Sequence, residues 1–244
     1  MAILHFGLFC SFNNIRLAIY LRISNLNKKL EIQNQINELE QAAKKAKMNP
    51  HFLFNTLNSV QSKILTGNLE DATHFLSLFG QLVRRVLDMS LQKSNSLITE
   101  IEYLTKYLEL EQMRFKKRFQ FNIIVDKELD QQNCFIAPML VQPFIENSII
   151  HGISNIDQIS IININFLKES DYIQVEIKDN GIGFQYKSQG KSSLEKSVGI
   201  SNTERRLELL DEPKTKNLLE IKELIDNNGN ILGTQVILFI KIIP

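Results

Sequence analysis

The chain has no tryptophan, only two cysteines, five prolines and ten glycines among its 244 residues. Cys10 and Cys134 form neither a disulfide framework nor a metal-ligand spacing, which excludes a cysteine-stapled secreted fold and fits a reducing cytoplasm. No charge of one sign prevails: 28 Lys and Arg face 27 Asp and Glu, for a net +1. The broad basic field of a nucleic-acid binder is therefore missing, and any polyanion site must be local. An uninterrupted membrane-length apolar run is also missing. The apolar stretch from Ala2 to Phe12 contains His5 and is followed by Asn13, Asn14, Arg16 and Arg22, whereas a spanning helix needs about 20 mostly apolar residues. Positive charge ahead of that stretch and a small-residue cleavage site are absent, so a secretory signal does not fit. Three readings of residues 1–25 stay open: an interfacial helix, a truncated anchor of a longer membrane region, or a helix packed on a partner. Membrane contact would run through residues 1–23. What is present is apolar content of 43% and charge of 23%, enough to bury a core in one or two domains.

From Ile32 the apolar positions step by four and three through Ile36, Leu39, Ala43 and Ala46, then Pro50, Leu53, Leu57, Val60 and Ile64. Such a seam needs partner helices, and a homodimer is the natural way to supply them. A second run, Leu69, Ala72, Leu76, Phe79, Val83 and Val86, repeats the rhythm after the Gly67-Asn68 stop. An antiparallel helical hairpin follows, forming a four-helix bundle on dimerisation. A third helix is expected to open at Thr99 with Glu102 three residues on. The period then becomes two, at Phe119, Phe121, Ile123 and Val125, at Ile159 and Ile161, at Ile173, Val175 and Ile177, and from Thr234 to Ile242. Helical stretches at 139–151 and 199–211 lie between, and Asn227–Asn230 reads as a hairpin turn. The fold class is α+β: a coiled-coil linker over 26–47, a helical dimerisation region over 48–118, and an α/β sandwich over 119–244, one sheet with helices on one face.

Four constellations carry possible chemistry. His51 follows Pro50 in Asn49-Pro50-His51-Phe52-Leu53-Phe54-Asn55, one step off the buried stripe. The proline should kink the bundle there, beside a neutral imidazole usable as a nucleophile. The second, Pro143 to Gly152, sets Glu146, Asn147 and His151 in an apolar helix. Asn147 offers a hard amide oxygen suited to a phosphate-bound Mg²⁺. His151, four residues on, is expected on the same helix face, while Glu146 points about 100° away. In the third, Asp179-Asn180-Gly181-Ile182-Gly183, two glycines after a strand permit close approach of backbone to ligand, and an ionised Asp179 accepts from an amino group. The sparsely apolar stretch 187–197 suggests a mobile cover, and Gly199-Ile200-Ser201-Asn202 opens a helix whose amides suit phosphate. The fourth is Gly233-Thr234 at a strand entrance.

In this order the residues resemble the LytS/YehU-type family of bacterial sensor histidine kinases, from about Lys44 to Ile243. Asn49 to Asn55 resembles the phosphoacceptor motif, and Tyr107-Leu108-Glu109-Leu110-Glu111 with Arg114-Phe115 the connecting helix. Gln142 to Asn147, Asp179 to Gly183, Gly199 to Asn202 and Gly233-Thr234 resemble the successive boxes of the GHKL (gyrase, Hsp90, histidine kinase, MutL) ATP-binding fold. The resemblance implies that ATP and Mg²⁺ bind the C-terminal domain and that the γ-phosphoryl group passes to His51, then to an aspartate of a response regulator. Asn147 would ligate Mg²⁺, Asp179 would hold adenine, Gly181 and Gly183 would shape the pocket, and Glu146, His151, Gly199, Asn202 and Thr234 would complete the nucleotide site. It also implies a homodimer whose catalytic region lies in the bacterial cytoplasm, at the inner face of the membrane.

Hydrolysing members of that fold carry a glutamate four residues before the asparagine; Pro143 stands in that slot, which favours transfer over hydrolysis. Two departures point toward weak activity: Ser197 replaces the first glycine of the second glycine box, and no carboxylate follows His51. The alternative reading is a catalytically weak, nucleotide-binding dimeric scaffold for a signalling partner.

Overall fold

A computed structural model of the protein describes residues 2–45, 50–115, 118–153, 159–183, 198–211 and 217–243. The chain divides into two compact units, Met1–Leu87 and Asp88–Pro244.

The first unit is helical. α1 (Ala2–Lys45) is one continuous helix, so no break separates the apolar N-terminal stretch from the coiled-coil linker. α2 (Pro50–Leu65) begins at the proline, whose missing N–H has no partner to lose at a helix start. The expected kink rests on residues 46–49, outside the described residues. α3 (Leu69–Ser90) returns antiparallel after a tight turn in which the Gly67 N–H donates to Ile64 O at 3.1 Å and the Asn68 N–H to Lys63 O at 3.0 Å. Gly67 takes φ 81°, the left-handed conformation this helix stop requires. Asn68 Oδ1 then caps α3 by accepting from the Asp71 N–H at 3.2 Å. Phe75, Phe79, Leu82 and Val83 of α3 are fully buried, and the Phe79 ring lies 6.2 Å from that of Phe52. Ile32 and Ile36 of α1 are also buried, and Leu39 lies against Gly80 of α3. This part of the seam is therefore covered within one chain, and its burial does not of itself require a second copy. Among the described residues no helix is long and apolar enough to cross a membrane.

The second unit is a five-stranded sheet with helices. Its sheet has the order β2-β4-β5-β7-β6, built from β2 (Phe119–Val125), β4 (Ser160–Glu169), β5 (Tyr172–Asp179), β6 (Leu219–Ile225) and β7 (Ile231–Lys241). β2 and β4 run parallel and every other neighbouring pair is antiparallel. A parallel pair needs a crossover. Here the intervening chain holds β3 (Phe135–Ile136), α5 (Gln142–Asn147) and a wider π-helical turn, Ser148–Ile153. Alternation sends Ile162, Ile164, Phe166, Ile173, Val175, Ile177, Val236, Leu238 and Ile240 to one buried face. α4 (Leu97–Arg114), α6 (Val198–Leu210) and the π turn pack against the sheet. The other face is polar: Asn122 Nδ2 donates to Asn163 Oδ1, and Glu176 takes hydrogen bonds from Asn165 and Gln235 and an ion pair from Lys178.

Several boundaries differ from the sequence expectation. α4 starts at Leu97, two residues before Thr99, because the Leu97 and Ile98 N–H groups are satisfied by Cys134 O at 2.8 Å and Gln131 O at 2.9 Å. Its N-cap residue is Ser96, which ends the short β1 (Asn95–Ser96) paired with β3. The helix expected from 139 starts at Gln142 instead, since Met139 adopts φ 57° and gives its N–H to Glu100 Oε2 at 3.2 Å. In β4 the phase is opposite to the one Ile159 and Ile161 suggest: these are 58% and 38% exposed, and the even-numbered residues after them fill the core.

Candidate functional site

Asp179 ends β5, in register with Thr234 of β7, and the strand alternation turns its side chain to the core face. It is only 5% exposed. A carboxylate in such a place needs hydrogen-bond donors. Oδ2 accepts from Ser148 Oγ at 2.7 Å, and Oδ1 accepts from the Gly181 N–H at 2.9 Å and the Thr234 N–H at 3.3 Å. Burial pushes the carboxyl above its ordinary pKa, and the Ser148, Gly181 and Thr234 donors pull it back down. The result is a desolvated acceptor held in one orientation.

The backbone around it is packed closely enough to require glycine. Gly233 has φ 145°, and a Cβ there would fall 1.9 Å from the Asp179 carbonyl oxygen. Gly183 has φ 78°, and its Cβ would meet Ile231 at 2.4 Å. Between them, Asn180 Oδ1 accepts from the Ile161 N–H at 2.7 Å and ties the Asp-Asn-Gly turn to β4. Asp179, Gly181 and Thr234 thus converge as three neighbours, with Gly183 at the exit of the same turn.

Asn147 ends α5, with Nδ2 donating to Pro143 O at 2.8 Å. Glu146 accepts from Gln142 Nε2 at 2.7 Å, and its charge acts on Tyr103, Tyr107 and Glu111 of α4. Glu146 therefore faces α4, consistent with its separation from Asn147 around the helix. From Ser148 the chain is π-helical, with bonds from i to i+5, a winding in which residues four apart still lie on neighbouring parts of one face. The side chain of His151, with Gly152, lies outside the described residues. Gly199 and Asn202 are exposed on the first turn of α6, while Ile200 and Thr203 beside them are buried. Ser197 and the expected cover over 187–197 lie outside the described residues. His51 is the second residue of α2, in the first unit, and its ring also lies outside them.

Sequence reasoning missed Ser148. The available signal was a hydroxyl on a short helix flanked by the apolar Phe144, Ile145, Ile149 and Ile150, where a buried donor needs an acceptor. α4 holds two further carboxyls that burial raises to about 7: Glu100, and Glu111 despite its ion pair with Arg114. Among the described residues no group of three or more His, Cys, Asp or Glu could hold a metal ion.

Residues 39–119 match the family described as Histidine kinase. The chain is 36% identical over 168 residues to the Sensor protein LytS of Oceanobacillus iheyensis, covering 68% of this chain and 28% of that protein. It is 33% identical over 138 residues to the Sensor histidine kinase BtsS of Escherichia coli, covering 55% of this chain and 23% of that protein. It is 28% identical over 191 residues to the Putative uncharacterized protein YwpD of Bacillus subtilis, covering 76% of this chain and 67% of that protein. The chain thus spans less than a third of the length of the LytS and BtsS relatives. Carrying the phosphoacceptor-like segment inside the matched region and the Asp179 cluster after it, the chain belongs to the LytS/YehU-type family of histidine kinases.

Proposed function

We propose that this chain is the catalytic part of a two-component sensor histidine kinase that binds ATP at the Asp179 cluster and phosphorylates its own His51. The observation that carries this reading is the buried Asp179 carboxylate, fixed by three donors and left as an acceptor for the exocyclic amino group of adenine. A ring nitrogen of His51 attacks the γ-phosphorus, the bond from that phosphorus to the bridging oxygen breaks, and ADP leaves. The phosphoryl group then passes to a carboxylate oxygen of an aspartate in a response regulator, which returns His51 to its neutral form. Little covalent help is needed, because phosphoryl transfer is accelerated mainly by alignment and charge neutralisation.

Asn147 would hold Mg²⁺ through its amide oxygen, a fit supported by the engagement of Nδ2 with Pro143. When bound, the ion neutralises phosphate charge. Gly181, Gly183 and Thr234 would shape the base pocket, His151, Gly199 and Asn202 would serve the phosphate side, and Glu146, which faces α4, would support the helix that carries Asn147. Pro143 offers no base to activate water, which favours transfer over hydrolysis. The kinase works as a homodimer with its catalytic region in the bacterial cytoplasm. Exposed Leu17, Ile19, Tyr20, Leu21 and Ile23 of α1 support contact with a partner helix or a membrane surface through the N-terminal segment.

Incubation with γ-labelled ATP and Mg²⁺ tests the reading. The kinase yields an acid-labile label on the chain that His51→Ala abolishes. Nucleotide binding without label would point to the scaffold reading, and phosphate release independent of His51 to an ATPase.

A further inference from the structure

We propose that Ser148 is the positioning residue that sets base selectivity, its hydroxyl locking the Asp179 carboxylate so that one lone pair remains for an amino group at carbon 6 of a purine. This inference rests on the nucleotide reading above. An ionised carboxylate offers about four lone-pair directions. Gly181 and Thr234 occupy Oδ1 through backbone N–H groups, and Ser148 takes one direction on Oδ2. The remaining direction lies on the oxygen that Ser148 holds.

The two backbone donors are fixed by the turn and by the β5–β7 pairing, and both act on Oδ1. Rotation of an aspartate carboxylate about its last bond is soft and carries both oxygens together. Ser148 adds a donor on Oδ2 from 31 positions away in sequence, so the carboxylate is held from both ends at the point where α5 gives way to the π turn. A wider turn there changes the direction of the side chains that follow Asn147. Ser148 is 6% exposed, so water does not substitute readily for its hydroxyl. Having donated its one hydrogen to Asp179, Ser148 presents only lone pairs to a ligand. The wall thus consists of two acceptors, favouring an amino substituent and disfavouring a carbonyl at the same position of the base.

A purely structural Ser148–Asp179 bond would lose all nucleotides equally when broken, and this separates the two roles. Affinities of the full chain for ATP, purine riboside triphosphate (hydrogen in place of the amino group) and inosine triphosphate are measured by calorimetry for wild type, Ser148→Ala and Ser148→Thr. Ser148→Ala is expected to weaken ATP by about tenfold, the effect of one hydrogen bond to a charged group. Purine riboside triphosphate should change by less than about twofold, since it has no amino group to place. Wild type should reject inosine triphosphate, Ser148→Ala should narrow the gap between it and ATP, and Ser148→Thr should restore the wild-type ratio. Unchanged ATP affinity in Ser148→Ala, or equal losses for ATP and purine riboside triphosphate, would overturn the inference while leaving the kinase reading intact. Failure of the wild-type chain to bind ATP would remove the kinase reading and this inference with it. Should circular dichroism show that Ser148→Ala is unfolded, Ser148→Cys, close in size with a weak donor, takes its place with the same expectations.

Discussion

Gly233 illustrates how one residue without a side chain can set the whole Asp179 turn. Its φ of 145° and the 1.9 Å approach that a Cβ would make to the Asp179 carbonyl leave no room for substitution. Gly233→Ala is expected to destabilise the sheet unit by roughly 2–4 kcal/mol through backbone strain and displacement of β5 from β7. Urea unfolding checks this, and an unchanged midpoint would contradict it. Glu100 gives a second prediction at this scale. Its carboxyl is fully buried, with one oxygen accepting from Met139 N–H, and burial raises it from 4.5 to about 7. A carboxyl raised in the folded state binds its proton more tightly there than in the unfolded chain. Its contribution to stability is therefore present below the unfolded value and is lost as pH rises from about 4.5 to about 7. Glu100→Gln, which keeps an acceptor for Met139, should raise Tm relative to wild type at pH 8 by more than at pH 5. The pH slope should shrink without vanishing, because Glu111 is raised to the same region. An unaltered slope in scanning calorimetry would remove Glu100 as its source.

Among the elements, the long helices were legible because their apolar positions keep one period, and the Gly67-Asn68 stop was legible because glycine supplies the left-handed residue. The same reading places Phe79 in the core of α3, where it is fully buried beside Phe52. Phe79→Ala should cost roughly 3–5 kcal/mol, measured as a fall in the unfolding midpoint of the helical unit. Other features depend on contacts distant in sequence and left little local trace. α4 begins early because carbonyls at 131 and 134 satisfy its first amides, and Met139 leaves helical conformation while bonding Glu100. The phase of β4 was obscured by Ile159 and Ile161, apolar residues that face outward, while Ile162, Ile164 and Phe166 face in. β6 was not anticipated as a strand, although the Asn-rich turn preceding β7 implied a partner. In that turn Asp226 accepts from the Asn228 and Asn230 N–H groups, both at 2.8 Å. At the site, glycines and Asp179 could be read from their order along the chain. Ser148 left only the signal of a hydroxyl among apolar neighbours, because its acceptor lies 31 residues away.

For the whole molecule, the division into Met1–Leu87 and Asp88–Pro244 separates His51 from the Asp179 cluster. A fragment of residues 88–244 is expected to unfold cooperatively and to bind ATP, yet to acquire no label, because the acceptor is missing. Calorimetry and labelling of that fragment check both halves of the statement, and a labelled fragment would put the acceptor elsewhere. Burial of Ile32 and Ile36 within one chain also moves the question of dimerisation away from that part of the seam and toward surfaces still exposed. The central claim joins the two units chemically: a phosphoryl group taken from nucleotide at Asp179 ends on His51. Peptide mapping by mass spectrometry, under neutral to alkaline conditions after incubation with Mg-ATP, tests it most directly. The account predicts one added phosphoryl group on the peptide containing His51, absent from Asp179→Asn; a phosphoryl group on another residue, or undiminished modification in Asp179→Asn, would contradict it.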